Sequence, residues 1–104
     1  MPKRWEIWWA WFEYEDIPTR KLRPVLVLSE NQAYILSAKI TSKGPRNIYG
    51  EYEIIKWKSA NLSKPSTIRL SQIHRLNAGD FAERIGILQP MDRQMVEEKL
   101  GLCP

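Results

Sequence analysis

Arg23 stands directly before Pro24, and Pro24 opens the apolar run Val25-Leu26-Val27-Leu28. A guanidinium stays charged in proteins and offers a planar fork of N–H donors that matches phosphate oxygens. Proline gives no N–H to a ladder and pushes the preceding residue towards extended geometry, so Arg23 is expected at the mouth of a strand. A second group, Thr41-Ser42-Lys43, precedes the Gly44-Pro45 breaker and ends another predicted strand with two hydroxyls and an ammonium. A strand end of that kind can hold a phosphate oxygen. Taken singly, both features are more often ordinary: an arginine snorkelling beside a strand end, and a solvated polar turn.

Other chemistries are excluded by what the chain lacks. It has one histidine and one cysteine, and no clustered carboxylates beyond Glu13–Asp16, so no dedicated zinc site is visible. There is no Gly-rich phosphate loop, nucleophile elbow or Ser-His-Asp spacing. His74 has no second histidine to work with, which excludes a two-histidine nuclease and leaves it as a strand-end packing residue. Cys103, the lone cysteine, rules out an internal disulfide framework and fits a reducing compartment. The basic start lacks the apolar stretch and cleavage site of a signal peptide, and no segment is long enough to span a bilayer. The expectation is a soluble, cytoplasmic protein.

At 104 residues the chain is one domain, residues 1–104, with enough apolar content (43%) for a single small core. Lys and Arg outnumber Asp and Glu by 16 to 12, a net charge of +4, which suits a polyanionic partner without requiring one. Four of the five tryptophans fall between Trp5 and Trp11, in a stretch to Phe12 that reads as a strand apolar on both faces.

An acidic loop, Glu13 to Thr19, faces the basic Arg20 to Leu22. Val25–Leu28 then reads as a core strand covered on both sides. After a turn at Glu30-Asn31, Ala33–Ile40 alternates, with Tyr34, Leu36, Ala38 and Ile40 on one face and Ser37 and Lys39 on the other. Further strands are expected at Tyr49–Ile55 and Ser66–Leu70, with Gln72, His74 and Arg75 just beyond. Short helices are expected at Lys56–Leu62 and at Asp80–Ile85, the second ended by Gly86. A final helix from Pro90 carries Met91, Met95 and Leu100 on its apolar face and stops at Gly101. About five short strands followed by helices make a mainly β domain: a small, strongly bent sheet or half-open barrel with a C-terminal helix packed on it.

The ordered set of motifs resembles the PemK/MazF family of toxins from bacterial toxin–antitoxin pairs. It runs through Glu6-Ile7-Trp8-Trp9 to Phe12, Arg23-Pro24-Val25-Leu26-Val27-Leu28-Ser29 and Ile40-Thr41-Ser42-Lys43. It continues through Trp57-Lys58-Ser59-Ala60-Asn61-Leu62, Lys64 to Leu70, Gln72-Ile73 and Ile85-Gly86-Ile87-Leu88. The resemblance covers nearly the whole chain. It implies a compact SH3-like barrel of the CcdB–PemK type, a homodimer, and a ribonuclease that cuts single-stranded RNA without metal or other cofactor. A cognate antitoxin protein is implied as the partner.

By the same resemblance, Arg23 and Thr41 are the catalytic residues, and Arg20, Lys21, Lys43 and Gln72 contact RNA. The 2′-hydroxyl would attack the adjacent phosphorus, which needs a base, an acid and donors for the developing charge. Many members carry a Glu five residues before the arginine. Here that position is Pro18, the nearest carboxylates are Asp16 and Glu15, and the base is left unassigned. Where the family opens its first strand with Gly, this chain has Trp5. Two other classes stand beside the nuclease: a gyrase poison of the same fold, whose tryptophan-containing tail is not matched by Leu100 to Pro104, and a catalytically inactive binding module.

Overall fold

The computed structural model describes residues 1–14, 17–44 and 50–101. Six strands and one helix follow in order: β1 (Glu6–Tyr14), β2 (Ile17–Glu30), β3 (Ile35–Thr41), β4 (Glu51–Glu53), β5 (Thr67–Leu76), β6 (Phe81–Ile87) and α1 (Pro90–Lys99). The strands form one antiparallel sheet ordered β4-β5-β3-β2-β1-β6. The architecture is the expected one, mostly β with a C-terminal helix.

The sheet bends because its ladders slip. Register shifts interrupt the pairing of β1 with β2 and with β6, of β2 with β3, and of β3 with β5. Each extra residue kinks its strand and sharpens the local twist. The largest slip lies on β5, where Ala38 pairs with Ile73 and the next residue, Lys39, with Arg69. Both faces of the bent sheet are covered at its centre. Val25, Leu26 and Val27 are 0% exposed and Leu28 is 8% exposed, so the Arg-Pro strand is core on both sides, as its unbroken apolar run implies. Leu26 and Leu28 join Ile7, Ile40, Ile68 and Val96 in the main cluster, while Val25 packs with Ala10, Phe12 and Leu76 on the reverse face.

Several expectations need correction. Asp80–Ile85 is not a helix: a 3₁₀ turn covers Ala78–Asp80, and Phe81–Ile87 is strand β6 on the open side of β1. The helix-favouring Ala-Glu-Arg is overridden because β1 would otherwise leave a row of backbone donors and acceptors unpaired. Lys56–Leu62 makes one α-type turn, with the Ala60 N–H donating to the Lys56 carbonyl, and is ended by Asn61 at φ 71°. The strand expected over Tyr49–Ile55 is confined to Glu51–Glu53, Tyr49 lying outside the described residues. The strand begun near Ser66 runs on to Leu76, so Gln72, His74 and Arg75 lie within β5. Ser37, on the face opposite the apolar residues of β3, is itself fully buried, because β3 is central and both its faces are covered.

Helix α1 does start at Pro90 in its first turn, but Met91 and Met95 are 50% and 37% exposed. Its buried residues are Asp92 and Val96. The Asp92 carboxylate accepts hydrogen bonds from the Tyr52 hydroxyl and from the N–H groups of Ile55 (3.0 Å) and Lys56 (2.9 Å). This polar tie selects which face of the helix turns inward. The Glu13–Asp16 segment falls partly outside the described residues, and so do Glu15, Asp16 and Cys103.

Candidate active site

One cleft of about 840 Å³ gathers residues from β1, β2, β3, β5, β6 and the 61–66 loop. Arg23 and Thr41 both line it, together with Lys21 and Lys43. Their meeting follows from strand pairing. Val25 pairs with Lys39 as the last rung of the β2–β3 ladder, and Arg23 and Thr41 each lie two residues beyond it on these neighbouring strands. Leu22, Arg23 and Pro24 are half-buried. Arg23 lies within β2 and not at its mouth, because the strand runs from Ile17 to Glu30 and pairs with β1 on both sides of Pro24. One of the five N–H donors of Arg23 goes to the Leu22 carbonyl oxygen at 3.0 Å. The backbone N–H of Lys43 donates to Thr41 Oγ1 at 3.2 Å. That bond occupies a lone pair and leaves the hydroxyl hydrogen available to a ligand oxygen.

The charge of the cleft is lopsided. Beside Arg23, Lys21 and Lys43 stand Lys39, Lys64, Arg69 and Arg84, and among the described residues Glu83 is the one carboxylate that lines the cleft. Arg69 and Arg84 carry their own anions. Arg69 Nε lies 3.7 Å from Glu51, its cross-strand neighbour, and Arg84 Nε donates to Glu6 at 2.8 Å. The Glu6 carboxyl also accepts from the Lys3 N–H (2.7 Å) and the Trp8 indole (3.1 Å). Burial raises the Glu6 pKa, but these donors and the Arg84 charge outweigh it and hold the carboxyl below its ordinary value. A concave surface with this surplus of cations concentrates polyanions.

Arg20 and Gln72 stand apart from the cleft. The Arg20 guanidinium donates to Asp80 at 2.6 Å and lies over the Trp11 ring, 5.9 Å from its centroid. Gln72 is half-buried in the stretch of β5 that the slip against β3 leaves unpaired. His74 packs edge-on against Phe12, with centroids 5.0 Å apart. Burial first, then the nearby Lys39 charge, lowers its pKa.

Sequence reading missed Lys39, Lys64, Arg69, Glu83, Arg84 and Trp9 as neighbours of Arg23 and Thr41. Lys39 had a usable signal, sitting two residues before Thr41 and therefore on the same face of β3. Glu83 and Arg84 had none, since their stretch reads as helix.

The loop that walls the cleft is held by close backbone packing. A Cβ on Gly86 would sit 2.0 Å from the Ala60 carbonyl oxygen, and Asn61 Nδ2 donates to the Ile85 carbonyl at 2.7 Å. Only glycine lets β6 pass this loop, which places Asn61 and Leu62 at the cleft. The departure at Trp5 is also explained. Its φ is 74°, the left-handed region that glycine adopts freely, at a cost of about 1–2 kcal/mol for other residues. Packing of the indole on the main core offsets that cost, with the Arg4 guanidinium 4.7 Å above the ring.

The profile of the family described as PemK-like, MazF-like toxin of type II toxin–antitoxin system matches residues 3–103. Among solved structures, the chain is similar to the Mycobacterium tuberculosis toxin MazF-mt6, with TM-score 0.74, 22% identity and 93% of each chain covered. It is also similar to an endoribonuclease in complex with its cognate antitoxin from a mycobacterial species, with TM-score 0.76, 18% identity, and 98% of this chain and 97% of that one covered. A further mycobacterial endoribonuclease aligns with TM-score 0.72 and 17% identity over 99% of this chain and 94% of the other. No curated protein sequence matches. At these identities the structural likeness speaks for the fold, while the profile match spans almost the full length, so the chain belongs to the PemK/MazF family of toxins of type II toxin–antitoxin systems.

Proposed function

We propose that the protein is a metal-independent endoribonuclease toxin that cuts single-stranded RNA in this cleft. The observation that carries the reading is the convergence of Arg23 and Thr41 on one concave surface lined by seven cationic side chains. A phosphodiester bound there meets fixed donors aimed at the place where charge develops, which is how preorganised sites lower a barrier. The 2′-oxygen attacks the adjacent phosphorus, the bond to the 5′-oxygen breaks, and a 2′,3′-cyclic phosphate and a free 5′-hydroxyl result.

Arg23 stabilises the extra negative charge of the phosphorane through its fork. Thr41 donates its hydroxyl hydrogen to a phosphoryl oxygen, while Lys21 and Lys43 hold flanking phosphates. Arg20, engaged by Asp80, and Gln72, on the irregular part of β5, are left for contacts further along the strand. A homodimer is the working unit and a cognate antitoxin protein its inhibitor. The family assignment and the fold shared with an endoribonuclease bound to its antitoxin support that partner.

Incubation of pure protein with a long single-stranded transcript in EDTA tests the reading. Cleavage should persist and leave 5′-hydroxyl ends that kinase labels without prior phosphatase. Arg23→Ala should slow single-turnover cleavage by about 10²–10³, with Arg23→Lys restoring little because it lacks the fork. Thr41→Val should also slow cleavage while melting like wild type. Wild-type rates in well-folded Arg23→Ala and Thr41→Val would overturn the assignment. No cleavage at all would return the chain to the gyrase-poison or binding-module classes.

A further inference from the structure

Resting on the ribonuclease reading above, the cleft still needs a group that takes the proton from the attacking 2′-hydroxyl. Most of its lining residues cannot do so. Arginine does not deprotonate in proteins, and lysine side chains are ammonium ions near neutral pH. The hydroxyls of Thr41, Ser42, Ser63 and Ser66 are far too weakly basic, and Asn61 is an amide. No histidine lines the cleft.

Among the described residues Glu83 is the remaining proton acceptor of the cleft, and its position suits the task. On β6 it is paired with Trp9 of β1, whose partner on the other side is Pro24 of β2. Glu83, Trp9 and Pro24 thus form one row across three strands. Two strand spacings, about 9.5 Å, separate its ends. Strand alternation turns Arg23 to the other face of β2 from Pro24, but Arg23 lines the same cleft as Glu83, and a ribose–phosphate bound in that cleft can reach both. Glu83 is solvent-exposed. Among the described residues nothing hydrogen-bonds its carboxylate or pairs with it, although Arg84, its chain neighbour, is held by Glu6.

We propose that Glu83 is the general base of this site. The proton leaves the 2′-oxygen for the Glu83 carboxylate as the 2′-oxygen–phosphorus bond forms. The bond from phosphorus to the 5′-oxygen breaks, that oxygen takes a proton from water, and the Glu83 carboxyl returns its own proton to water. Atoms and charge balance without a metal or redox partner. Trp9, 38% exposed between Glu83 and Pro24, is the surface over which the ribose lies.

The experiment uses the full-length protein and a short RNA spanning a cut mapped on a long transcript, plus the same oligonucleotide with a 2′-deoxyribose at the cut. Glu83→Gln is expected to lower the single-turnover rate by about 10²–10⁴, the usual contribution of a general base. It should bind the uncleavable oligonucleotide within about twofold of wild type. Glu83→Ala should be equally slow and should regain part of its rate in added formate, which a merely structural role would not allow. Wild-type cleavage with Glu83→Gln at an undiminished rate would overturn the role of Glu83 and leave the ribonuclease reading standing. The same would follow if Asp16→Asn alone were slow, which would move the base to Asp16. Slow Glu83→Gln with equally weakened binding would reduce Glu83 to a binding contact and overturn the proposal too. Failure of wild type to cleave any transcript would overturn both.

Discussion

In the first turn of α1, the Asp92 carboxylate is wholly removed from solvent and accepts three hydrogen bonds, from Tyr52 and the N–H groups of Ile55 and Lys56. On the rim of the cleft, Glu83 is exposed and faces a surface rich in cations. The two acids show how environment divides structural from chemical roles. A buried carboxylate is tolerated only when donors surround it, and once they do it has nothing left to offer a ligand. The Tyr52 phenol carries the mark of that site: burial first, then the bond to Asp92 and its charge, push its pKa well up. An exposed carboxylate is held by water that a substrate can displace, so its capacity to accept a proton stays available.

The comparison can be broken most forcefully by creating a third case, a buried carboxylate without donors. Val27 is 0% exposed in the Arg-Pro strand, and Val27→Asp should abolish folding, because an uncompensated buried charge costs about 3–5 kcal/mol. A soluble Val27→Asp protein with a cooperative melt would show that the strand is not the core it resembles.

Next in size is Asp92→Ala, which orphans a phenol and two backbone N–H groups at about 1–3 kcal/mol for each that water cannot reach. The urea midpoint should fall sharply, and Tyr52→Phe should cost only about 1 kcal/mol. Glu83→Gln should shift stability by no more than about 0.5 kcal/mol, whatever it does to catalysis. Equal losses from Asp92→Ala and Glu83→Gln in urea melts would erase the distinction.

The smallest effect concerns Glu6, which lies between the two extremes with its side chain 14% exposed. Its folded-state pKa is lowered, so the stability it contributes is present above the unfolded value near 4.5 and is lost as pH falls through the lower folded value. Urea melts between about pH 3 and 6 should show a decline on the acid side that Glu6→Gln flattens. An unchanged acid limb in Glu6→Gln would assign the decline to other carboxylates.

Much of the fold was legible because its signals are local. Pro24 with the apolar run after it marks a core strand, the aromatic stretch after Trp5 marks another, and Pro90 and Gly101 bracket the helix. Strand β6 was not legible. Phe81 to Ile87 has ordinary helix formers at its centre, and only the unpaired side of β1 makes it extended. The inward face of α1 was misread for a similar reason. Met91 and Met95 look like the apolar stripe, but the donors from Tyr52, Ile55 and Lys56 draw Asp92 inward.

The cleft divides along the same line. By itself, the sequence determined that Val25–Leu28 is core and that Thr41 ends a strand before the Gly-Pro breaker. It set Arg23 at a strand mouth, whereas β2 runs through Arg23 and Pro24 from Ile17 to Glu30. Only the tertiary structure decided that Arg23 and Thr41 share a cleft with Lys39, Arg69 and Glu83. Which side chains meet across a sheet depends on strand order and on where the register slips. Neither is written in any one strand, because each is settled by all six strands closing around a common core.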